Sequence, residues 1–298
     1  MGSWSDVIKE LQDTESQYGY IRRKYLKELS DYTRRNTITY YSGWLTKQGA
    51  PNSDITDADM TGFMNCIHGM DCDKGLDLIL HTPGGSPAAA EAIVSYLRTK
   101  FNFDIRVIVP QLAMSAGTMI CCAAREIVMG KQSSLGPIDP QFNGIPAYNI
   151  KTEFEEAKKD LLANPANAQY WAIKLQQYPA AFMKTAIDAI ELSGKLVEEW
   201  LGTCMYDHDV DSDKAKITNI VSKLNEHTDS KIHGRHLNSA FCKGIGLKIK
   251  MLEDDSELQD KVLTLHHAYM ITLEMTPAIK IIECQNKKST ISNIQMPR

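Results

Sequence analysis

The chain has 298 residues, 43% hydrophobic and 23% charged, enough to bury a large core as one big domain or two modest ones. A net charge of −4 and a pI near 6.1 argue against a nucleic-acid binder, which would show a basic face. No apolar run reaches the roughly 18 residues of a transmembrane helix.

The opening MGSWSDVIKELQDTE lacks an apolar signal-peptide core, and Asp6 stands where a myristoylation pattern needs Ser or Thr. Seven cysteines (66, 72, 121, 122, 204, 242, 284) are scattered, odd in number and without a C-x-x-C pair. They read as reduced thiols of a cytoplasmic protein, with Cys121 and Cys122 as small packing residues rather than nucleophiles.

In chain order, residues 4 to 33 read as an amphipathic helix, with Val7, Leu11, Tyr18, Ile21, Tyr25 and Leu29 at helical spacing. Its interleaved charges favour packing or subunit contact over a membrane surface. NTITYYSGW (36–44) is β-branched and aromatic and reads as a strand. Ser53 or Asp54 offers an N-cap for a helix running to about residue 70. GLDLILHT is a strand, and SPAAAEAIVSYLRTKF a helix with Pro87 in its first turn, where a missing N–H costs nothing. DIRVIVP and REIVMG are strands around the short helix of MSAGTMICCAA, and SSLGPIDPQF is punctuated by Pro and Gly. Strand and helix alternate over 75–130, so βαβ units and a parallel sheet are expected. Residues 150–203 are helical with breaks at Pro165 and Pro179; 213–224 and 255–274 are helical as well. KKSTISNIQMPR is a polar, frayed tail.

Two strand-to-helix corners carry the chemistry: Pro83-Gly84-Gly85 and Ala113-Met114-Ser115-Ala116-Gly117. In a parallel sheet both fall at the carboxyl ends of neighbouring strands, where such sheets place ligands. Ser115 between small residues is similar to a nucleophile elbow, in a loose Ala-x-Ser-x-Gly form; a plain helix N-cap is the competing reading. Acyl transfer needs N–H donors about 3 Å from the developing oxyanion, and glycine lets backbone approach that closely. Gly85 and Ala116 N–H are the candidate pair. An ordinary Gly-Gly turn is the alternative.

HTPGGSPAAAEAI, AMSAGTMICCAA and SSLGPIDPQ, in that order and spacing, resemble the Clp-protease/crotonase fold. Within it the chain resembles the serine dehydrogenase proteinase family, soluble relatives of signal peptide peptidase A. The likeness covers roughly 20–275, including HGRHLNSAFCKGIGLKI, which is similar to the exit segment of signal peptide peptidases. It implies an α/β spiral of ββα units with helical N- and C-terminal additions, a homo-oligomeric ring, Ser115 as nucleophile and Gly85 and Ala116 as oxyanion hole. Gly84, Ser86 and Asp139 fall where substrate would bind. The expected organisation is an N-terminal helix (1–35), a catalytic core (36–250) and a C-terminal helix with a polar tail (251–298).

The base is less clear. Where the Clp proteolytic subunit follows its serine with Ser-x-x-x-Ile-His, this chain has Ser134-Leu135-Gly136-Pro137-Ile138-Asp139, so a Ser-His-Asp triad is not supported. Signal peptide peptidases use a later lysine, neutral only if burial depresses its pKa. Lys158 flanks the Ile150, Phe154, Ala157, Leu161 stripe and is the candidate, with Lys131 and Lys174 as rivals; Lys159 looks solvated. His81 either lines the site or is a satisfied strand-end histidine. His233 reads as structural, and His266-His267 lie on a C-terminal helix. No H-x-x-x-H pair exists, so no metal or other cofactor is expected.

The leading expectation is a cytoplasmic, ATP-independent serine peptidase acting on a peptide or protein substrate. An acyl-CoA-processing crotonase-like enzyme is a second reading, with Glu91 the acid to try. An inactive scaffold, kept alive by Asp139 in place of histidine, is a third.

Overall fold

A computed structural model describes residues 7–8, 18–142, 144–225 and 234–294. Its centre is a seven-stranded sheet of order β10-β5-β3-β2-β1-β11-β12. The strands are β1 (Asn36–Ser42), β2 (Leu76–His81), β3 (Ile105–Val109), β5 (Glu126–Met129), β10 (Ile249–Met251), β11 (Ala278–Cys284) and β12 (Ser289–Asn293). From β10 to β1 every neighbour is parallel; β11 and β12 join antiparallel.

β2 is buried along its whole length, as a parallel strand covered on both faces must be. Its side chains alternate: Leu76, Leu78 and Leu80 enter one core, with Ile38, Val107 and Ile127. Ile79 enters the other, with Tyr41, Ile108 and Val128. Helices α1 (Tyr18–Thr33) and α10 (Ser256–Met275) cover that second face. α2 (Asp59–Ile67), α3 (Pro87–Phe101) and α4 (Ala116–Cys122) cover the first, giving three layers.

A small sheet, β4 (Leu112–Ala113), β6 (Ser134–Leu135) and β9 (Leu237–Asn238), sits beside these crossovers, next to the β7 (Gln141–Phe142) and β8 (Ile145–Pro146) ribbon. An arm of α5 (Ala147–Ala163), α6 (Ala168–Leu175) and α7 (Phe182–Trp200) follows, then α8 (Asp211–Asn225) and α9 (Ser239–Ile245). The breaks at Pro165 and Pro179 stand where the prolines predict them.

Two expectations need correcting. The helix predicted from Ser53 or Asp54 starts only at Asp59, and its N-cap, Ala58, makes no side-chain cap bond. Ile55 instead forms a parallel bridge with Gly85, which keeps residues 53–56 out of the helix. The polar tail is not frayed over 289–293: it forms β12, the exposed edge of the sheet, paired to β11. The first half of the N-terminal helix and His233 lie largely or wholly outside the described residues. All seven cysteines are free thiols. No helix among the described residues is long and apolar enough to cross a membrane.

Candidate active site

β2 ends at His81, and the chain runs on as Thr82-Pro83-Gly84-Gly85 between two flanking segments. On one side Thr82 bridges Ala113 of β4, with Thr82 N–H donating to Leu112 O and Met114 N–H to Thr82 O, each at 3.0 Å. On the other, Ile55 N–H donates to Gly84 O at 2.7 Å and Ser86 N–H to Ile55 O at 2.9 Å. Since Gly84 C=O and Ser86 N–H both face Ile55, the alternation of an extended chain turns Gly85 N–H and C=O to the opposite side. Among the described residues, nothing in the chain accepts the Gly85 N–H.

Both glycines are required by space and by torsion. Gly84 has φ +100°, and a Cβ there would lie 2.6 Å from Ser115 Cβ, 2.7 Å from Met114 O and 3.1 Å from Ala116 N. Gly85 has φ +148°, and its Cβ would lie 2.3 Å from Ile55 N. The two corners predicted from the sequence therefore touch.

Ser115 has φ +52° and ψ −118°, a conformation costly for any residue with a side chain, on the order of 1–3 kcal/mol. It occupies the N-cap position of α4 but makes no side-chain cap bond, so the plain-cap reading fails. Ser115 is half-buried, and its hydroxyl hydrogen-bonds to no side chain among the described residues. Ala116, the first residue of α4, keeps the orphan N–H every helix start leaves. Gly117 gives close helix-to-strand packing, since a Cβ there would meet Thr82 Cγ2 at 2.4 Å.

The SSLGPID segment braces the turn from behind. Buried Thr118 Oγ1 lies 2.8 Å from Ala113 O and accepts Gly136 N–H at 2.9 Å. A Cβ at Gly136 would reach Met114 Cε at 2.7 Å. Asp139 is fully buried just beyond. Ser86 uses its hydroxyl to cap α3, accepting Ala89 N–H at 3.2 Å.

The candidate bases lie elsewhere. Lys158 is exposed on α5, as is Lys159, and Lys131 is exposed in the turn after β5, so the single chain does not supply Lys158 with the burial expected of a neutral amine. Lys174 is paired to Glu153, which raises its pKa, the wrong direction for a base. Sequence patterning does not point to Lys47: in the turn after β1, its Nζ is buried without a hydrogen-bond partner among the described residues, and burial lowers its pKa while Glu274 opposes the shift.

His81 turns to the α10 face. It packs 4.4 Å from Trp44 and 5.3 Å from His266, and accepts Leu112 N–H at 3.4 Å. Burial first, then His266, holds its pKa well below the usual histidine value. It is a buried strand-end histidine facing away from the serine. Glu91 is exposed on α3. The one metal-like cluster among the described residues, Asp207, His208 and Asp209, is exposed and outside this site.

A parallel-rich α/β sheet with a serine on a strained turn packed against a Gly-Gly corner, its hydroxyl not used as a helix cap, has the parts of a ClpP-like serine hydrolase. The chain belongs to the ClpP-like SDH-type serine proteinase family, whose model matches residues 14–170. Among curated proteins it is similar to two from Methanocaldococcus jannaschii, both named as uncharacterized. MJ0137 is 38% identical over 157 residues, 52% of this chain and 54% of that protein. MJ1495 is 41% identical over 96 residues, 32% of each. The chain thus spans about half the length of the first relative and a third of the second.

Proposed function

We propose that this protein is an ATP-independent serine peptidase that cuts peptide or protein substrates through an acyl-enzyme at Ser115. The observation that carries this reading is the Ser115 turn: φ +52°, hydroxyl released from helix capping, packed against Gly84.

Ser115 Oγ attacks the scissile carbonyl carbon while its proton passes to a base. The carbonyl oxygen becomes an oxyanion and accepts hydrogen bonds from Gly85 and Ala116 N–H, amides that no acceptor among the described residues engages. Collapse expels the amine leaving group, which takes the proton from the base. Water, activated by the same base, then releases the acyl group and restores Ser115. Lys158 is the base in this reading. Cover by substrate or by a neighbouring copy in a homo-oligomeric ring supplies the apolar setting its exposed position lacks. Gly84 and Asp139 shape the cleft, Ser86 starts the helix behind it, and no cofactor takes part. The family's fold suggests a ββα spiral, and the lack of paired cysteines suits a cytoplasmic location.

A fluorophosphonate probe tests the proposal. Labelling should occur at Ser115 and vanish in Ser115→Ala, with peptide hydrolysis falling at least about a thousandfold. Lys158→Met should slow both by about 10²–10⁴-fold. A labelled Ser115 with an unaffected Lys158→Met variant replaces the base but keeps the nucleophile. An unlabelled wild type, intact as a ring, favours the scaffold reading.

A further inference from the structure

The Gly84–Gly85 segment has the serine turn on one flank and residues 53–56 on the other, and those four residues are each held by a separate bond. Ser53 C=O accepts Ser42 Oγ–H. Asp54 C=O accepts Lys280 Nζ at 2.6 Å. Ile55 exchanges its two bonds with Gly84 and Ser86. Thr56 N–H donates to Asp59 Oδ2 at 2.9 Å. Lys280 and Asp59 are themselves joined, Nζ to Oδ1 at 2.8 Å, with side chains 4% and 5% exposed. The pair therefore brackets Ile55, Lys280 gripping the residue before it and Asp59 the residue after.

The same carboxylate is also held from within the sheet, by Tyr40 of β1. Tyr40 O–H donates to Asp59 Oδ2 at 2.9 Å, and Gly84 N–H donates to Thr82 Oγ1 at 3.1 Å. Lys280 comes from β11, 221 residues from Asp59 and well beyond the stretch matched by the family model.

We infer that the buried Lys280–Asp59 pair is a positioning clamp that fixes the direction of the Gly85 N–H through Ile55. A buried ion pair is seldom the most stable filling for its space, since apolar residues of like volume often serve as well. What apolar residues lack is directional donors and acceptors for main-chain groups. Here those groups belong to residues 54 and 56, on either side of the one residue that pairs with Gly84 and Ser86. The inference rests on the serine-peptidase reading for its catalytic meaning, and on the bonding alone for its structural content.

The test uses full-length Lys280→Met, the apolar pair Lys280→Met/Asp59→Leu, which leaves no lone buried charge, and the conservative Lys280→Arg. Amide hydrogen exchange at Ile55 and Ser86 reads the clamp directly. Exchange there should quicken at least about tenfold in the apolar-pair variant, with β2 and β3 amides unchanged, and recover in Lys280→Arg. Fluorophosphonate labelling and kcat should fall about tenfold in parallel, with KM nearly constant. Wild-type exchange at Ile55 and Ser86 in the apolar-pair variant overturns the clamp whatever the activity. So does faster exchange with labelling and kcat unchanged. A wild-type chain that the probe never labels overturns the nucleophile instead, and the exchange result still decides whether the clamp exists.

Discussion

The serine corner and the helical arm that carries Lys158 are built to opposite standards. At the corner, Ala113, Ala116, Gly117 and Thr118 are buried, and the segment is bonded on both flanks, Thr82 to β4 and Gly84 to Ile55. On the arm, α5 buries only Ala147, Ile150 and Ala157, its small core is shared with Ala186, and Leu162, Tyr170 and Ile173 stand open at 60% or more. Electrostatic stabilisation of an oxyanion depends on donors that do not reorganise during the reaction. A proton acceptor tolerates adjustment, because it need only reach the hydroxyl when substrate is bound. In the proposed mechanism the single chain would meet the first requirement and leave the second to whatever covers the arm.

The sharpest way to break that comparison is to disturb each region by one small change. Gly84→Ala puts a methyl group 2.6 Å from Ser115 Cβ at a φ of +100°, so the turn or the strand must move. Displacement of about 1 Å at a reacting centre costs on the order of 10²-fold in rate. We expect kcat/KM and probe labelling to fall at least that far, with stability lower by about 1–3 kcal/mol. Lys174→Ala, which removes the arm's Glu153 ion pair, should leave both rates within about twofold, since exposed pairs contribute little. Peptide hydrolysis and thermal melts of the two variants decide the matter. Equal losses would mean that the arm is as finely placed as the corner.

The corner was legible because its chemistry is local. Gly84, Gly85 and Ser115 each announce an unusual backbone or a small-residue turn within five residues of sequence, and strand periodicity puts both turns at one end of the sheet. The clamp was illegible for the opposite reason. Lys280 and Asp59 meet only after β11 pairs with β1; the apolar run Ala278–Ile282 around Lys280 signals a buried strand, but nothing local names Asp59 as its partner. Ile55 bridges Gly85 as a single residue, too short for alternation to show, and that bridge delays α2 to Asp59. β12 reads as a frayed tail because an edge strand with three of five residues exposed has no apolar face to betray it. The stripe beside Lys158 is present on α5, but a stripe fixes only the helix face, not what lies across from it.

A smaller effect separates the two faces of the sheet. His81 and His266 sit buried on the α10 face, and burial, with His267 next, pushes His266 down to about 3 from its ordinary 6.5. Both histidines are thus neutral when folded and gain protons more readily when unfolded. Between about pH 6.5 and 3 the unfolded chain binds more protons, so stability should fall as pH drops through that window, by up to about 1.4 kcal/mol per pH unit for His266. Urea midpoints at pH 7, 6 and 5 measure the slope. His266→Phe should flatten it by about one proton while leaving the serine corner's labelling unchanged at pH 7. An unaltered slope would mean that other groups govern acid stability.

The smallest expected effect concerns Ser86, which touches both roles at once. Its backbone N–H holds Ile55, and its hydroxyl caps α3 through Ala89 N–H at 3.2 Å. If the hydroxyl serves only the helix, Ser86→Ala costs about 1 kcal/mol of stability, the ordinary value of a lost N-cap, and leaves KM alone because the backbone bond to Ile55 survives. Ser86→Asp should then recover most of the stability, since aspartate caps as well as serine. If the hydroxyl also binds substrate, KM rises in Ser86→Ala beyond what the melt accounts for, and Ser86→Asp restores stability without restoring KM. The split between melt and KM thus decides whether this residue belongs to the fold alone or to the cleft as well.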